Sequence, residues 1–146
     1  MIKLFKIISL FSLAATLGVA SLQAGSACSV SSAHKEIAKA SFPDIELADL
    51  KQAMTSGKVF LIDVNGTSSY QKGHIPGAVD FASVSGDLAS VLPAQKDAMI
   101  VAYCGGPKCA AYKEAAKAVA ALGYDNVRHF SKGISGWKQA GEMTES

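Results

Sequence analysis

Short apolar runs alternate along this chain with segments of helical periodicity. The clearest runs are residues 59–62, which end at Asp63, and residues 99–103, while residues 78–82 and 126–130 are shorter candidates. An uninterrupted apolar run of this length is typical of a strand that is covered on both faces in a parallel sheet. The pattern therefore predicts four strands.

The segments between these runs predict helices. They cover residues 48–54, 88–92, 108–122 and 134–140. The cluster at residues 55–57 stops the first of these helices, and Gly123 stops the third. Small apolar residues share one face of the third segment and lysines share the other, as in an amphipathic helix. Strands that alternate with helices predict right-handed crossovers. We therefore expect the α/β class, as a single domain with a central parallel sheet and helices on both faces.

The start of the chain has the pattern of a signal peptide. Lys3 and Lys6 precede an uncharged stretch, residues 7–20, and small and polar residues follow it. We expect residues 1–27 to be a signal peptide and the protein to be exported to the periplasm. The apolar stretch is shorter than the roughly 20 residues that a spanning helix needs, so no stable membrane span is expected.

The cleavage site stays open, because cuts after Ala20, Ala24 or Ala27 each leave a small residue at the end of the signal. Lipidation of Cys28 is the weaker prediction, since Gly25 stands where that signal normally has leucine. Residues 28–44 are interpreted as an N-terminal arm and residues 142–146 as a C-terminal tail.

Charge and histidine placement exclude two kinds of function. The chain has 14 basic and 12 acidic residues, and loss of residues 1–27 removes two lysines and leaves 12 of each. The basic residues are scattered, so no nucleic acid partner is expected. The three histidines are also scattered and there is no Cys-x-x-Cys pair, so no metal site is predicted.

Cysteine is the residue type that indicates chemistry. The three cysteines are Cys28, Cys104 and Cys109, and an odd number leaves one thiol unpaired in an oxidising compartment. The last two bound the segment Cys104-Gly105-Gly106-Pro107-Lys108-Cys109, which we name the cysteine loop. Two cysteines so close together are poorly placed to staple the fold, and a reactive site is the better interpretation.

The cysteine loop has the features of an anion cradle. Cys104 ends a predicted strand, where open α/β sheets place functional sites. Gly105 and Gly106 allow a tight turn with inward N–H groups, and the helix predicted to begin at Lys108 adds its positive dipole end. These features and the Lys108 charge predict a lowered pKa for Cys104, which would act as a nucleophilic thiolate. Gly105, Gly106, Lys108 and Cys109 are the candidate substrate-binding residues.

Three segments resemble the rhodanese-like sulfurtransferase family. Tyr103-Cys104, followed by a tight loop and a helix, is similar to the active site of that family. Residues 61–64 with 70–78 resemble its N-terminal signature, and residues 133–137 resemble its C-terminal signature. The likeness covers residues 45–141, which we interpret as one rhodanese-like domain.

The resemblance implies a sulfurtransferase without a cofactor. In it, Cys104 takes sulfane sulfur from thiosulfate, polysulfide or a persulfide, forms a cysteine persulfide, and passes the sulfur to a thiol or other nucleophile, such as a thioredoxin-like protein. Three departures from the family pattern leave the donor open. Asn65 stands where arginine is common, Lys132 replaces a frequent glycine, and Cys109 takes a position that is often a hydroxyl residue or arginine.

Other residues are assigned supporting roles. Asp63 is expected to satisfy loop N–H groups, His74 to brace a turn by hydrogen bonding, and Trp137 to seal the sheet. A cysteine phosphatase is disfavoured, because the loop lacks arginine and is one residue short. Two alternatives remain open, a thiol–disulfide redox protein that uses Cys104 and Cys109, and a persulfide carrier or sensor without turnover. The oligomeric state is also open.

Overall fold

The computed structural model describes residues 41–146. In chain order, its elements are α1 (Leu47–Thr55), β1 (Val59–Asp63), α2 (Thr67–Tyr70), β2 (Ala78–Asp80), α3 (Phe81–Val84), a 3₁₀ turn (Ser85–Asp87), α4 (Leu88–Val91), β3 (Met99–Tyr103), α5 (Tyr112–Ala121), β4 (Val127–Phe130) and α6 (Gly133–Gln139). The predicted signal peptide, Cys28 and most of the predicted arm lie outside the described residues.

The strands form one parallel sheet in the order β2-β1-β3-β4. The register pairs Asp63 with Tyr103 and Tyr103 with Phe130, so β1, β3 and β4 finish at one edge. Because β3 is central, its last four residues are fully buried by neighbours on all sides. The residue after β3, Cys104, therefore emerges at the middle of the carboxyl edge.

Helices cover both faces of the sheet, which confirms the predicted fold class. Helices α3, α4 and α5 pack on one face around Ile62, Ile100 and Val119. Helices α1 and α6 pack on the other around Leu50 and Trp137. Burial of such apolar side chains contributes about 1.5–3 kcal/mol each relative to exposure, so the two layers stabilise the sheet.

Two predicted helix stops are confirmed by the backbone. Gly57 follows α1 with φ of 65°, and Gly123 follows α5 with φ of 88°. Both are in the left-handed region that glycine enters without a Cβ penalty. The Gly57 N–H donates to the Met54 carbonyl and the Gly123 N–H to the Ala120 carbonyl, which satisfies carbonyls at the helix ends.

Two predicted boundaries are wrong. Strand β2 ends at Asp80 rather than at residue 82, because the Asp80 carboxylate accepts from the Ala82 N–H at 3.1 Å and caps α3. Helix α5 begins at Tyr112 rather than at Lys108. The chain before it turns back on itself, with the Cys109 N–H bonded to the Gly106 carbonyl at 3.0 Å. The short helices α2 and α3 were not predicted.

Both ends of the described chain are tied to the domain. Asp44 accepts from the Ser131 N–H and hydroxyl, each at 2.8 Å. In the predicted tail, Glu145 exchanges backbone hydrogen bonds with His74. Within residues 41–146, no helix is long and apolar enough to cross a bilayer.

Candidate active site

The cysteine loop connects the central strand β3 to helix α5. Cys104 is 1% exposed, and Cys109 is half-buried. Gly105 and Gly106 are half-buried, whereas Lys108 is exposed at the outside of the turn. The loop therefore presents one thiol below the surface and a second thiol closer to solvent.

Helix α6 fixes the loop from the neighbouring strand. The Ile134 N–H donates to the Cys104 carbonyl at 2.9 Å, and the Ser135 N–H donates to the Gly105 carbonyl at 3.1 Å. Gly133, with φ of 56°, lies so close to the loop that an added Cβ would be 2.2 Å from the Cys104 carbonyl oxygen. Because the Cys104 and Gly105 carbonyls face α6, the N–H groups of the same two peptides, those of Gly105 and Gly106, face the other way, towards the sulfurs.

Asp63 and Asn65 support the loop from β1. One Asp63 carboxylate oxygen accepts from the Asn65 backbone N–H and side-chain amide, each at 2.7 Å. This orients the Asn65 amide towards Gly105, where its oxygen would be 3.5 Å from an added Cβ. The other Asp63 oxygen is buried without a hydrogen-bond partner. Asp63 acts here through Asn65, a residue that sequence reasoning noted only as a departure from the family pattern.

His74 and Tyr103 brace the segment beside the loop. His74 is buried, its ring stacks on Tyr70 at 3.7 Å, and its Nδ1 lies 2.9 Å from the Tyr70 carbonyl oxygen. The Tyr103 hydroxyl accepts from the Ile75 N–H at 3.0 Å. Burial and the nearby Asp63 carboxylate raise the pKa of Tyr103, so its hydroxyl stays neutral. These contacts position β3 and the turn before β2.

Trp137 packs in the apolar layer between α6 and the sheet. Its side chain is 4% exposed, and its Nε1 donates to the Met143 carbonyl at 2.7 Å. Trp137 thus secures α6 to the sheet on one side and to the C-terminal residues on the other.

The two loop cysteines share hydrogen bonds. The Cys104 thiol faces the Cys109 carbonyl oxygen at 3.4 Å and also the Cys109 sulfur. Backbone N–H groups of Gly106 and Tyr112 bond to the Cys104 sulfur, and those of Gly105 and Ala111 bond to the Cys109 sulfur. The cradle predicted for one sulfur therefore surrounds two.

This sharing corrects the prediction of a Cys104 thiolate in the resting protein. Burial, and then the hydrogen bond to Cys109, raise the pKa of Cys104 to about 11. Burial opposes ionisation of Cys109 as well, but the hydrogen bonds from the Cys104 thiol and from Ala111 and Gly105 lower its pKa overall. Of the two thiols, Cys109 therefore ionises more readily, and the Cys104 thiol is the hydrogen-bond donor.

A shallow depression of about 430 Å³ opens over the loop. It is lined by the loop residues after Cys104 and by Ser135, and Lys108 carries the one charge among these described lining residues. Lys132 forms an ion pair away from the depression, since its Nζ lies 2.6 Å from a Glu46 carboxylate oxygen. The depression is thus open, and Lys108 supplies its positive charge at the rim.

Sequence reasoning found the nucleophile candidate and the loop but missed three residues that shape it. Gly133 allows the close approach of α6, Ser135 lines the depression, and Tyr112 directs its N–H to Cys104. Gly133 carried a signal, since it begins the C-terminal segment of the family pattern. The described residues contain no cluster of side chains suited to a metal ion.

Comparisons with known proteins find a family model and relatives that match this chain. A family model described as rhodanese-like domain matches residues 46–140. An HTH-type transcriptional regulator of Mycobacterium tuberculosis is 34% identical over 98 residues, which are 66% of this chain and 42% of the regulator. The chain thus spans less than half the length of this curated relative.

Solved structures share the fold. The BH2092 protein of Bacillus halodurans is 27% identical with a TM-score of 0.62, over 79% of this chain and 85% of that chain. A human single-domain sulfurtransferase is 21% identical with a TM-score of 0.55, over 68% of this chain and 97% of that chain, a likeness of fold. The match of the family model to most of the described domain confirms the resemblance found in the sequence, and this chain belongs to the rhodanese-like domain family.

Proposed function

We propose that this protein is a sulfurtransferase that carries sulfane sulfur on Cys104. The observation that carries the proposal is the cysteine loop, in which a thiol at the end of the central strand is surrounded by inward backbone N–H groups. Such groups stabilise the negative charge of a thiolate and of the persulfide formed from it. Membership of the rhodanese-like domain family supports the same chemistry.

The proton shared by the two cysteines provides a route to the nucleophile. Cys104 starts as a thiol that donates to Cys109, and transfer of that proton leaves a Cys104 thiolate among the N–H groups of Gly106 and Tyr112. The thiolate attacks the outer sulfur of a donor, and the donor leaves as sulfite, a shorter polysulfide or a thiol. The product is a persulfide on Cys104.

The charges around the depression favour sulfur donors whose binding does not depend on the recognition of a dianion by the protein. A thiosulfate dianion is best held by a planar, two-pronged arginine, whereas Lys108 is an exposed point charge and Lys132 is neutralised by Glu46. A polysulfide or an organic persulfide needs only access to the buried sulfur and stabilisation of one leaving anion. We therefore propose these as better donors than thiosulfate.

The acceptor in this proposal is a thiol. The depression is shallow and open, which suits a thiol on a protein surface as well as a small molecule. A thioredoxin-like protein has a reactive thiol of this kind. The signal pattern in residues 1–27 supports placing the reaction outside the cytoplasm.

Sulfur transfer to a small thiol tests the proposal. The reduced protein is supplied with polysulfide, an alkyl hydropersulfide or thiosulfate, and formation of the acceptor persulfide is followed. We expect turnover with the first two donors, slower turnover with thiosulfate, and none above the uncatalysed rate in Cys104→Ser. Equal rates for the wild type and Cys104→Ser would contradict the proposal.

A further inference from the structure

The N–H groups of the cysteine loop serve two sulfurs rather than one. Those of Gly106 and Tyr112 serve Cys104, and those of Gly105 and Ala111 serve Cys109. A persulfide on Cys104 has its outer sulfur one bond further out than the sulfur to which the N–H groups of Gly106 and Tyr112 bond. The Cys109 side chain already lies in that cradle, and a hydrogen bond couples it to the Cys104 thiol.

The fold of the loop brings the two cysteines together. The turn closed by the Cys109 N–H and the Gly106 carbonyl at 3.0 Å reverses the chain after Pro107. As a result the Cys109 carbonyl oxygen is 3.4 Å from the Cys104 sulfur. Cys109 also precedes α5, which begins at Tyr112, so regular helical hydrogen bonds do not hold its backbone.

The charge distribution supplies the attacking group. Hydrogen bonds lower the pKa of Cys109, and this thiol is more exposed than Cys104. A thiolate attacks a neighbouring sulfur–sulfur bond in thiol–disulfide exchange, and its rate rises with the ionised fraction. The structure thus pairs a buried sulfur that can be loaded with an adjacent, more exposed thiol of lowered pKa, whose thiolate can displace the outer sulfur.

We infer that Cys109 is a resolving thiol, which converts the Cys104 persulfide into a Cys104–Cys109 disulfide and releases hydrosulfide. This inference rests on the proposed sulfurtransferase function and adds a second activity, the reduction of sulfane sulfur. The co-substrate is a dithiol, because the enzyme disulfide must be reduced before another cycle.

The step balances in atoms and electrons. Cys109 first gives the proton that it took from Cys104 to the departing donor anion or to solvent. Its thiolate then forms a bond to the Cys104 sulfur, and the bond between that sulfur and the outer sulfur breaks. The outer sulfur takes both electrons and the persulfide proton and leaves as hydrosulfide. The two cysteine sulfurs are oxidised and the sulfane sulfur is reduced. A dithiol then returns both cysteines to thiols and becomes a disulfide itself.

A single-turnover experiment without an acceptor tests the inference. The reduced wild type, Cys109→Ser and Cys104→Ser are each mixed under anaerobic conditions with an alkyl hydropersulfide, and with thiosulfate. Neither leaving group, a thiol or sulfite, is hydrosulfide. Released hydrosulfide is quantified, and the acid-quenched protein is examined by intact mass and peptide mapping.

We expect the wild type to release one hydrosulfide per chain and to lose the mass of two hydrogens as a Cys104–Cys109 disulfide forms. Cys109→Ser should still gain the mass of one sulfur on the Cys104 peptide, but more slowly than the wild type loads, because it lacks the thiol that takes the Cys104 proton. Its release of hydrosulfide should be at least about tenfold slower than that of the wild type. A stable persulfide in the wild type, or wild-type hydrosulfide release from Cys109→Ser, would overturn the inference and leave the proposed function intact. Absence of sulfur on Cys104 in Cys109→Ser even after prolonged incubation with both donors would contradict both.

A redox titration examines the disulfide without any sulfur donor. The wild type is equilibrated with mixtures of a reduced and an oxidised dithiol, and the Cys104–Cys109 disulfide is followed by peptide mapping. We expect a reversible two-electron transition between dithiol and disulfide. If no disulfide forms even with the oxidised dithiol in large excess, the two sulfurs do not reach bonding distance and the inference fails.

Discussion

Substitution of Gly133 by alanine should damage the cysteine loop more than the overall fold. The residue has φ of 56°, and an added Cβ would lie 2.2 Å from the Cys104 carbonyl oxygen and 2.8 Å from the Gly106 nitrogen. Alanine in this backbone region costs about 1–2 kcal/mol. The clash must also displace the loop from α6, which weakens the bonds donated by Ile134 and Ser135.

The expected total follows from these contributions. Two weakened hydrogen bonds at about 0.5–1.5 kcal/mol each, added to the backbone strain, give a loss of about 2–5 kcal/mol in the free energy of unfolding. Loading of Cys104 with sulfur should also slow, because the N–H groups no longer converge on the sulfur. Urea denaturation measures the first effect, and the rate of persulfide formation in the folded variant measures the second.

Gly141→Ala is the matched control at the other end of α6. Gly141 has φ of 78°, but no atom lies within 4 Å of an added Cβ. This variant should lose only about 1–2 kcal/mol through backbone strain and keep the wild-type rate of persulfide formation. If the two variants lose the same stability and load sulfur equally fast, the contact between α6 and the loop does not organise the site.

Further predictions concern the charges and the core. Near neutral pH, iodoacetamide should modify Cys109 before Cys104, because hydrogen bonds lower the pKa of Cys109 whereas burial raises the pKa of Cys104 to about 11. If peptide mapping finds Cys104 modified first, this order of the two pKa values is wrong. The buried neutral Cys104 thiol stabilises the fold below the ordinary thiol pKa, and this stability is lost as the pH rises through about 11. Urea denaturation should therefore show a free energy of unfolding that falls at alkaline pH, and Cys104→Ala should show a smaller fall. Lys108→Ala should change the free energy of unfolding by less than about 0.5 kcal/mol, because the side chain is exposed. It should slow the loading of Cys104 by thiosulfate more than the loading by an uncharged trisulfide. Equal effects on both donors would place Lys108 outside the site. Leu50→Ala should cost about 2–5 kcal/mol with little change in the loading rate of the folded protein, since Leu50 is a fully buried residue of α1, which is not part of the cysteine loop.

The sequence was informative wherever a local pattern decides the structure. The apolar run before Cys104 predicts the central strand, and Gly57 and Gly123 predict two helix ends, because these features depend on neighbouring residues alone. The end of β2 also had a local signal. Asp80 is a good N-cap, but the apolar residues after it were interpreted as more strand.

The remaining features depend on contacts between distant segments. Helix α5 starts late because the N–H groups of Ala111 and Tyr112 bond to sulfurs, which the periodicity of the segment does not reveal. The pKa of Cys104 is raised because the strand end is buried and because a second thiol lies beside it. The approach of Gly133 to the loop joins residues of different strands, so only the assembled sheet shows it.

The most direct test of the account is the location of sulfur after loading Cys109→Ser, a variant in which the inferred second step cannot remove it. The reduced variant is treated with an alkyl hydropersulfide, excess donor is removed, and peptides are mapped by mass under conditions that preserve persulfides. The account predicts one added sulfur atom on the peptide that contains Cys104, and its loss on transfer to a thiol acceptor. Sulfur bound elsewhere, or a protein that takes up no sulfur from hydropersulfide, polysulfide or thiosulfate, would contradict it.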